Sequence, residues 1–541
     1  MRGLMQHWPL LISQIIDHAE HFHPKVEIVT QAIEGGRHRH TYKDFALRAR
    51  KVSQSLNRLG IKKGDTVGTL AWNTYRHLEL YYGIPGMGGI CHTLNPRLFP
   101  KQIAWVINHA EDKALFFDLT FLPLVQGLEE YLSTVKHFVV MAAREHMPKS
   151  LPAHYLSYEE LLEAEDGDYQ WTKMDENDAA ALCYTSGTTG DPKGVLYSHR
   201  STVLHAMAII APDAFDLRST TTVMPVVPMF HANAWGYPYG ALIVGCKLVF
   251  NGPFFTGQAL HSLILEEEVH ITTGVPTIWM GLLQYIKENK LDLGPLTGLG
   301  IGGSAPPPSM IKTFEDLGAK VHHAWGMTEM SPVGSMGTLN AKTEKWSKED
   351  QLKLKSKQGR GIFGVEMKVV VEDGSEAPWD GKTFGHLHVR GPWVISHYFK
   401  ASDPATDKDG WFDTGDVATI DENGYMQITD RAKDVIKSGG EWISSIALEN
   451  AAAGHSCVGQ AAVIGRPHPK WRERPLLIVV LGEGQKLNKK DIIDHLKEEV
   501  AEWWLPDDIV TIEEMPLSAT GKIKKTVLRE VFKDHQWPEE I

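Results

Sequence analysis

Between Tyr184 and Val195 the chain reads Tyr-Thr-Ser-Gly-Thr-Thr-Gly-Asp-Pro-Lys-Gly-Val, directly after the apolar run Ala179 to Cys183. These residue types suit the holding of a polyphosphate. Gly187, Gly190 and Gly194 let the backbone come close to an anion. The hydroxyls of Thr185, Ser186, Thr188 and Thr189 can donate hydrogen bonds, and Lys193 supplies a compact positive charge. The stretch is not a Walker A loop, because Gly194 follows Lys193 where that motif places a Mg²⁺-binding Ser or Thr, and the glycine spacing differs. Composition alone leaves an ordinary flexible loop as an equal reading, so the case rests on the segments that accompany it.

Six such segments follow in order: Met224-Pro-Val-Val-Pro-Met-Phe-His231, Gly302-Gly-Ser-Ala-Pro306, Trp325-Gly-Met-Thr-Glu329, Gly410-Trp-Phe-Asp-Thr-Gly-Asp416, Asp430-Arg-Ala-Lys-Asp-Val-Ile-Lys-Ser-Gly-Gly440 and Thr520-Gly-Lys-Ile-Lys524. Together with the loop they resemble the signature segments of the adenylate-forming superfamily, which includes acyl-CoA synthetases, luciferases and nonribosomal adenylation domains. The resemblance runs from about residue 40 to residue 530. It implies a two-step reaction in which a carboxylate attacks the α-phosphate of ATP, giving an acyl-adenylate and pyrophosphate, and a thiol then displaces AMP. Both steps gather negative charge that preorganised donors and a metal ion stabilise.

The resemblance assigns roles to particular residues. Thr185, Ser186, Gly187, Thr188, Thr189, Gly190 and Lys193 would hold the β- and γ-phosphates, Thr328 would contact the α-phosphate, and Glu329 would bind Mg²⁺. Asp416 would accept the ribose hydroxyls, with Arg431 also reaching the ribose. Gly302, Gly303 and Ser304 would offer backbone groups to the adenine edge, and Trp325, with Gly326 beside it, would stack on the base where many relatives carry tyrosine. Lys522 matches the catalytic lysine that bridges the attacking carboxylate and the α-phosphate. Lys433 matches the hinge about which the small domain of relatives swings between half-reactions, and Lys437, Gly439 and Gly440 would lie beside the pantetheine arm of coenzyme A.

For the acid, His231 matches a residue that gates the thiol or lines the acyl site. Trp235 stands one helical turn further on, so the two are expected to share a face. Val275, Pro276, Thr277, Met280, Met327, Pro332 and Val333 are the apolar or small neighbours that the resemblance places around the acyl chain, although core packing explains each equally well. Gly326 stands where acetate-activating relatives carry a tryptophan, which implies an open pocket. Phe230 and its apolar neighbours offer no carboxylate for an amino-acid ammonium, and no carrier domain is expected after Ile541. The runs Gly68-Thr-Leu-Ala-Trp-Asn73, Leu78-Glu-Leu-Tyr-Tyr-Gly83, Leu94-Asn-Pro-Arg-Leu-Phe99 and Lys437-Ser-Gly-Gly-Glu-Trp-Ile-Ser444 resemble bacterial medium-chain acyl-CoA ligases and, within them, the 3-methylmercaptopropionate-CoA ligases of dimethylsulfoniopropionate breakdown. A general medium-chain ligase and a non-catalytic nucleotide-binding protein on the same fold are the alternatives.

The elements that must position these residues follow from periodicity. Phe45, Ala49, Val52, Leu56 and Leu59 recur at helical spacing between Thr41 and Gly60, which predicts a core-facing helix. Apolar runs at Thr66 to Trp72, Ala114 to Phe117, Phe138 to Met141, Val223 to Val227 and Lys247 to Phe250 alternate with helical segments, the pattern of a layered α/β fold. After Asp430 come strand-like Gln460 to Gly465 and Leu476 to Gly482, a helix expected over Lys489 to Trp504, and strand-like Ile509 to Ile512. The expected organisation is an α/β chain. A large adenylation domain of several subdomains, with layered sheets and helices, spans 1–430; a hinge spans 431–434; and a small mobile α+β domain carrying the catalytic lysine spans 435–541.

Bulk properties agree. A chain of 541 residues exceeds one compact core, and 43% hydrophobic with 23% charged residues describes a globular protein. With 55 basic against 67 acidic side chains the net charge is −12, which argues against nucleic acid or an anionic membrane as partner. Cys91, Cys183, Cys246 and Cys457 lie far apart without metal or disulfide spacing, as reduced thiols of a cytoplasmic enzyme would. The apolar patch Leu10 to Ile16 reads as a packed helix, not a signal peptide, and Ala241 to Phe250, the richest apolar stretch, is strand-sized, so no membrane span is expected. The expected partners are a small carboxylic acid, ATP and coenzyme A, with the chain acting as a homodimer.

Overall fold

A computed structural model describes residues 1, 3–185, 191–438, 441–482, 484–517 and 523–538, with the backbone alone for residues 441 and 442. The chain forms two compact units, Met1–Glu366 with Arg390–Gly410, and Met367–Val389 with Trp411–Ile541. This division by packing falls earlier than the hinge expected at 431–434, which is a statement about motion.

The first unit is built on two largely parallel sheets. In one, strands Lys320–Gly326, Gly298–Ile301, Ile271–Gly274, Thr222–Pro225, Lys247–Phe250 and Glu27–Gln31 run parallel side by side, with antiparallel strands at both edges. In the other, Tyr155–Ser157, His137–Val140, Ala114–Phe117, Thr66–Leu70, Ile90–Thr93 and Ala179–Tyr184 are parallel and Gly194–Ser198 returns antiparallel. Strands such as Thr66–Leu70 and Ala114–Phe117 are buried throughout, which is why they read as unbroken apolar runs. The helix Tyr42–Arg58 starts as its sequence indicates: the Thr41 hydroxyl accepts from the Asp44 N–H, the Asp44 carboxylate accepts from the Thr41 N–H, and Phe45, Ala49, Val52 and Leu56 are buried. The patch near the N-terminus packs as the helix Ile12–Phe22, with Ile12, Ile15, Ile16 and Ala19 buried.

Two expectations need correction. Ala241 to Phe250 is not one strand, because the helix Tyr237–Val244 occupies its first half and ends at the left-handed Gly245 before strand Lys247–Phe250. A short wholly apolar run carries no period to separate strand from buried helix, and Pro238 in the first turn favours the helix. The helix begun at Lys489 stops at Glu499, because Val500 takes extended backbone, and a separate 3₁₀ turn covers Glu502–Trp504.

The second unit joins a four-stranded sheet of Glu366–Val370, Gly385–Arg390, Phe412–Ile420 and Met426–Arg431 to a five-stranded one centred on the hairpin Val458–His468 and Arg472–Leu481. The helix Lys525–Val531 carries two cations four residues apart. Lys525 Nζ lies 2.7 Å from Glu449, and Arg529 lies 2.6 Å from Asp434 and also donates to the Lys433 carbonyl. Residues 433 and 434 are thereby tied to the helix that follows the Thr520 to Lys524 segment. All four cysteines are buried and free. Among the described residues no helix is long and apolar enough to cross a membrane.

Asp118, at the carboxyl end of strand Ala114–Phe117, is buried and accepts the Trp72 N–H at 2.7 Å. Burial pushes its carboxyl up to about 7, against the opposing effect of that hydrogen bond. An unfolded aspartate releases its proton near pH ~4. Between roughly pH 4 and 7 the folded chain therefore binds the extra proton, so Asp118's contribution to stability is fullest below that window and is lost as pH rises through it. Asp118→Asn keeps a carbonyl for the Trp72 N–H and removes the titration. Thermal melts are expected to show the variant gaining on the parent protein between pH 5 and pH 8, toward an upper bound on the order of 4 kcal/mol. An equal offset at both pH values would mean that Asp118 is ionised throughout.

Candidate active site

The nominated segments of the first unit leave the carboxyl ends of parallel strands. Thr185 follows Ala179–Tyr184, residues 226–236 follow Thr222–Pro225, Val275 and Pro276 follow Ile271–Gly274, Gly302 to Ser304 follow Gly298–Ile301, and Met327 to Glu329 follow Lys320–Gly326. The last four strands are neighbours in one sheet, so their ends line up along one edge. That edge is where open α/β sheets bind ligands.

Of the phosphate-loop candidates, Ser186, Gly187, Thr188, Thr189 and Gly190 lie outside the described residues. The stalk is an antiparallel pair with Tyr184 opposite Gly194, closed by the Thr185 N–H donating to the Lys193 carbonyl at 2.9 Å. Thr185 and Lys193 are thus side by side. Gly194 has a different reason from the one its sequence suggested: a Cβ there would stand 3.0 Å from Phe399 Cβ and 3.2 Å from Tyr184 Cζ, so the glycine admits aromatic packing at the stalk.

Lys193 is exposed, and its ammonium lies 4.8 Å from the centre of the Tyr398 ring. The Tyr398 hydroxyl donates to Glu329 Oε1 at 2.9 Å. Thr328 and Glu329 are both buried, in a 3₁₀ turn whose backbone is pinned from two sides: the Tyr197 hydroxyl donates to the Thr328 carbonyl at 2.6 Å and the Ile395 N–H to the Glu329 carbonyl at 2.7 Å. Tyr197 and Tyr398 were not nominated from sequence. The available signal was weak, a tyrosine on the strand returning from the loop in one case and a tyrosine outside every nominated segment in the other.

The acyl-side residues are held by α3-type contacts from elsewhere in the unit. Asn73 Nδ2 donates to the carbonyls of Pro225 and Val227 at 2.8 and 2.9 Å, and its Oδ1 accepts from Met229 N–H at 2.7 Å. The Tyr81 hydroxyl donates to the Met229 carbonyl and to Asn233 Oδ1. Beyond His231 the chain turns left-handed: Ala232, Asn233, Ala234, Trp235 and Gly236 all have positive φ, between 44° and 82°. The expectation that His231 and Trp235 share a face one right-handed turn apart therefore fails, since a left-handed turn advances in the opposite sense. Four non-glycine residues in this region cost roughly 1–2 kcal/mol each, which the surrounding hydrogen bonds must offset. His205 contributes by accepting the Val333 N–H at its Nε2, 3.1 Å away, while its ring fills the space a Cβ at Gly236 would need. Burial lowers the His205 pKa to about 3, which keeps that nitrogen an acceptor.

Trp235 is 8% exposed, and its Cη2 lies 2.8 Å from where a Cβ at Gly302 would stand. Gly303 similarly abuts Val275 Cγ1 at 3.2 Å, so Trp235, Gly302, Gly303 and Val275 form one group. Pro276, Pro332 and Val333 are buried and Met327 is half-buried, whereas Thr277 and Met280 are exposed. Gly326 needs a second correction. A Cβ there would run into the Pro332 carbonyl oxygen, so the glycine permits a close backbone pairing and is not simply an absent pocket wall. Trp325 is buried, with its Cζ3 2.9 Å from the Cβ position of Gly334.

In the second unit Asp416 and Arg431 stand opposite one another on neighbouring antiparallel strands, with Arg431 Nε 2.8 Å from Asp416 Oδ1. Asp416 is buried and Arg431 half-exposed, as suits a carboxylate kept ionised by a cation that still reaches solvent. Lys437 lies on strand Ile436–Ser438, where its N–H donates to Glu473 at 2.9 Å. Gly439, Gly440 and Lys522 lie outside the described residues; Leu517 and Ile523, on either side of the lysine's segment, pair as an antiparallel bridge.

Among the described residues no group of three or more His, Cys, Asp or Glu could hold a metal ion. A single buried carboxylate in an all-oxygen setting fits Mg²⁺ nonetheless, because that ion retains waters and binds through one or two carboxylates plus substrate phosphates. Glu329 meets that description.

A profile of the AMP-binding enzyme family matches residues 16–399, and one of the AMP-binding enzyme C-terminal domain matches residues 447–522. The 3-methylmercaptopropionyl-CoA ligase of Ruegeria lacuscaerulensis is 51% identical over 536 residues, covering 99% of this chain and 99% of that relative. The medium-chain-fatty-acid–CoA ligase of Ectopseudomonas oleovorans is 47% identical over 535 residues, covering 99% and 98%. An anthranilate CoA ligase solved in complex with anthranoyl-AMP has a TM-score of 0.85 at 23% identity, over 98% of this chain and 99% of that one, which shows a common fold. Profile, end-to-end relatives and fold agree with the strand-end geometry, and the chain belongs to the AMP-binding, adenylate-forming enzyme family.

Proposed function

We propose that this chain is an ATP-dependent acyl-CoA ligase that activates a short- to medium-chain carboxylic acid, with 3-methylmercaptopropionate as the favoured substrate. The observation that carries this reading is the cluster of Lys193, Thr328 and Glu329, drawn from two different sheets and joined through Tyr197 and Tyr398. A cation and a carboxylate arranged together at strand ends suit a metal-bound polyphosphate.

In the first half-reaction the substrate carboxylate attacks the α-phosphorus, the bond to the bridging oxygen breaks, and pyrophosphate leaves. Thr185 and Lys193 would take the β- and γ-phosphates, and Thr328 the α-phosphate. Glu329 would hold a Mg²⁺ ion, which supplies neutralising charge at the phosphate oxygens. Asp416 would accept the ribose hydroxyls with Arg431 beside it, and Lys522 would stabilise charge between carboxylate and α-phosphate. In the second half-reaction the coenzyme A sulfur attacks the acyl carbonyl carbon and AMP leaves. Lys437, Gly439 and Gly440 would flank the pantetheine arm, His231 would face the incoming thiol or the acyl group, and residues 431–434 with Lys433 would act as the hinge. A homodimer in the cytoplasm completes the proposal.

The acid assignment draws on the relatives named above, one a 3-methylmercaptopropionyl-CoA ligase and one a medium-chain-fatty-acid–CoA ligase. A thioether has nearly the shape of a methylene and no charge, and even a whole methylene supplies only roughly 1–3 kcal/mol of discrimination. A general medium-chain ligase is therefore the second reading, and activity on both kinds of acid should coexist.

ATP–pyrophosphate exchange across acetate, butyrate, hexanoate, octanoate and 3-methylmercaptopropionate tests both levels. Exchange is expected with butyrate, hexanoate and the thioether acid and weakly with acetate, whereas no exchange with any acid would leave only a non-catalytic nucleotide-binding protein. Trp235→Ala is expected to move the profile toward longer acids. Asp416→Ala should raise the KM for ATP by an amount on the order of 1.5–3 kcal/mol, the range for hydrogen bonds to a charged group; an unchanged KM removes Asp416 from the nucleotide site. Lys522→Ala should abolish exchange while sparing thioester formation from supplied acyl-adenylate, and equal loss in both would refute its role.

A further inference from the structure

Lys193 and Glu329 carry opposite charges and belong to the same cluster, yet each is engaged by Tyr398, the ammonium over its ring at 4.8 Å and the carboxylate by its hydroxyl at 2.9 Å. Cation–ring attraction and a hydroxyl hydrogen bond leave the formal charge of both partners intact. A direct ion pair would not, since it would commit each charge to the other and leave an arriving nucleotide and metal to break it.

The backbone around Tyr398 serves the same arrangement. The Ile395 N–H donates to the Glu329 carbonyl at 2.7 Å, and the Phe399 N–H donates to the Gly194 carbonyl at 2.8 Å. Residues 395–399 therefore form a strap, one end on the turn bearing Glu329 and the other on the strand that begins one residue after Lys193. Tyr398 projects from the strap toward both charged groups. Further bonds hold the strap in place, the Ala405 N–H to the Ser396 carbonyl at 2.8 Å and an isolated antiparallel bridge between His397 and Pro404.

We infer that Tyr398 is a positioning residue that keeps Lys193 and Glu329 adjacent but unpaired, its ring seating the lysine for the phosphates and its hydroxyl aiming the carboxylate at the metal. This rests on the proposed adenylation function and names a residue that function does not otherwise use. The ring and the hydroxyl are separable by substitution. Tyr398→Phe keeps the ring and loses the hydrogen bond to Glu329; Tyr398→Leu loses both and lets Lys193 reach Glu329.

The test is the dissociation constant of ATP, measured by titration calorimetry with and without Mg²⁺, alongside the two half-reactions. Tyr398→Phe is expected to leave metal-free ATP affinity unchanged and to reduce the gain in affinity on adding Mg²⁺ several-fold. Tyr398→Leu is expected to weaken metal-free ATP binding about tenfold, by the capture of Lys193. Adding Glu329→Gln to that variant should restore metal-free affinity, because no carboxylate remains to capture the lysine. Thioester formation from supplied acyl-adenylate should be unaffected in the single variants, whereas a merely structural role would lower both half-reactions and the melting temperature together. A phenylalanine variant with the full Mg²⁺ gain, or a leucine variant that Glu329→Gln does not rescue, overturns the inference. A parent protein that binds no ATP overturns the functional reading, and the role of Tyr398 with it.

Discussion

The hydrogen bond from Tyr398 to Glu329 joins residues 69 positions apart and sets the constraint from which much of the first unit follows. A lysine for phosphate and a carboxylate for a divalent cation have to stand in one place without cancelling each other. Neither the loop after Ala179–Tyr184 nor the turn after Lys320–Gly326 can ensure this alone, since they belong to different sheets. Two seven- to nine-stranded sheets with strand ends directed at a common region bring the groups near; a third segment, 395–399, regulates the spacing. The role of the sheets is then one of delivery, and the fine geometry is carried by a few tyrosines and backbone amides.

That division of labour recurs on the acyl side. Asn73, Tyr81 and His205 bond mostly to backbone groups of the 225–236 and 333 segments, so the main chain is fixed first and the side chains of His231 and Trp235 are aimed by it. The left-handed run 232–236 is a strained conformation that persists only where its surroundings over-determine it. Here they do: Asn233 Oδ1 receives both the Tyr81 hydroxyl and the Cys183 thiol, each at 3.3 Å, and Gly236 closes against the His205 ring. Cys183 ends the strand leading into the phosphate loop, so the stalk of that loop and the acyl-side turn share a buried contact.

What the sequence disclosed and what it withheld divide along physical lines. Local signals were legible: the capping box of Thr41 and Asp44, the buried parallel strands, the hydroxyl- and glycine-rich loop, the Thr328–Glu329 pair, and Asp416 with Arg431, which the fold places opposite one another. Features set by distant contacts were not. Nothing in Ala-Asn-Ala-Trp announces left-handed backbone, because only Gly236 among those residues adopts it without cost. Gly194 and Gly326 resembled a phosphate cradle and an open pocket, but their reasons are the Phe399 ring and the Pro332 carbonyl, invisible until the strands are paired. Tyr197 and Tyr398 carry no motif of their own, and their value lies entirely in what their hydroxyls reach across the fold.

The same glycines decide which positions can tune the substrate. A side chain at Gly302 would meet both the Ala324 carbonyl oxygen and the Trp235 ring at 2.8 Å, and one at Gly326 would strike backbone. Backbone atoms yield far less readily than a rotatable side chain, since moving them disturbs the parallel strands Gly298–Ile301 and Lys320–Gly326 to which they belong. These two positions are therefore fixed by the sheet, whatever acid is bound. Trp235 differs: its ring is large and packs over a glycine, and its backbone is held by other residues. Size selection can change there by altering one side chain while the strand ends that carry the nucleotide-directed groups stay where they are, which separates the choice of acid from the chemistry performed on it.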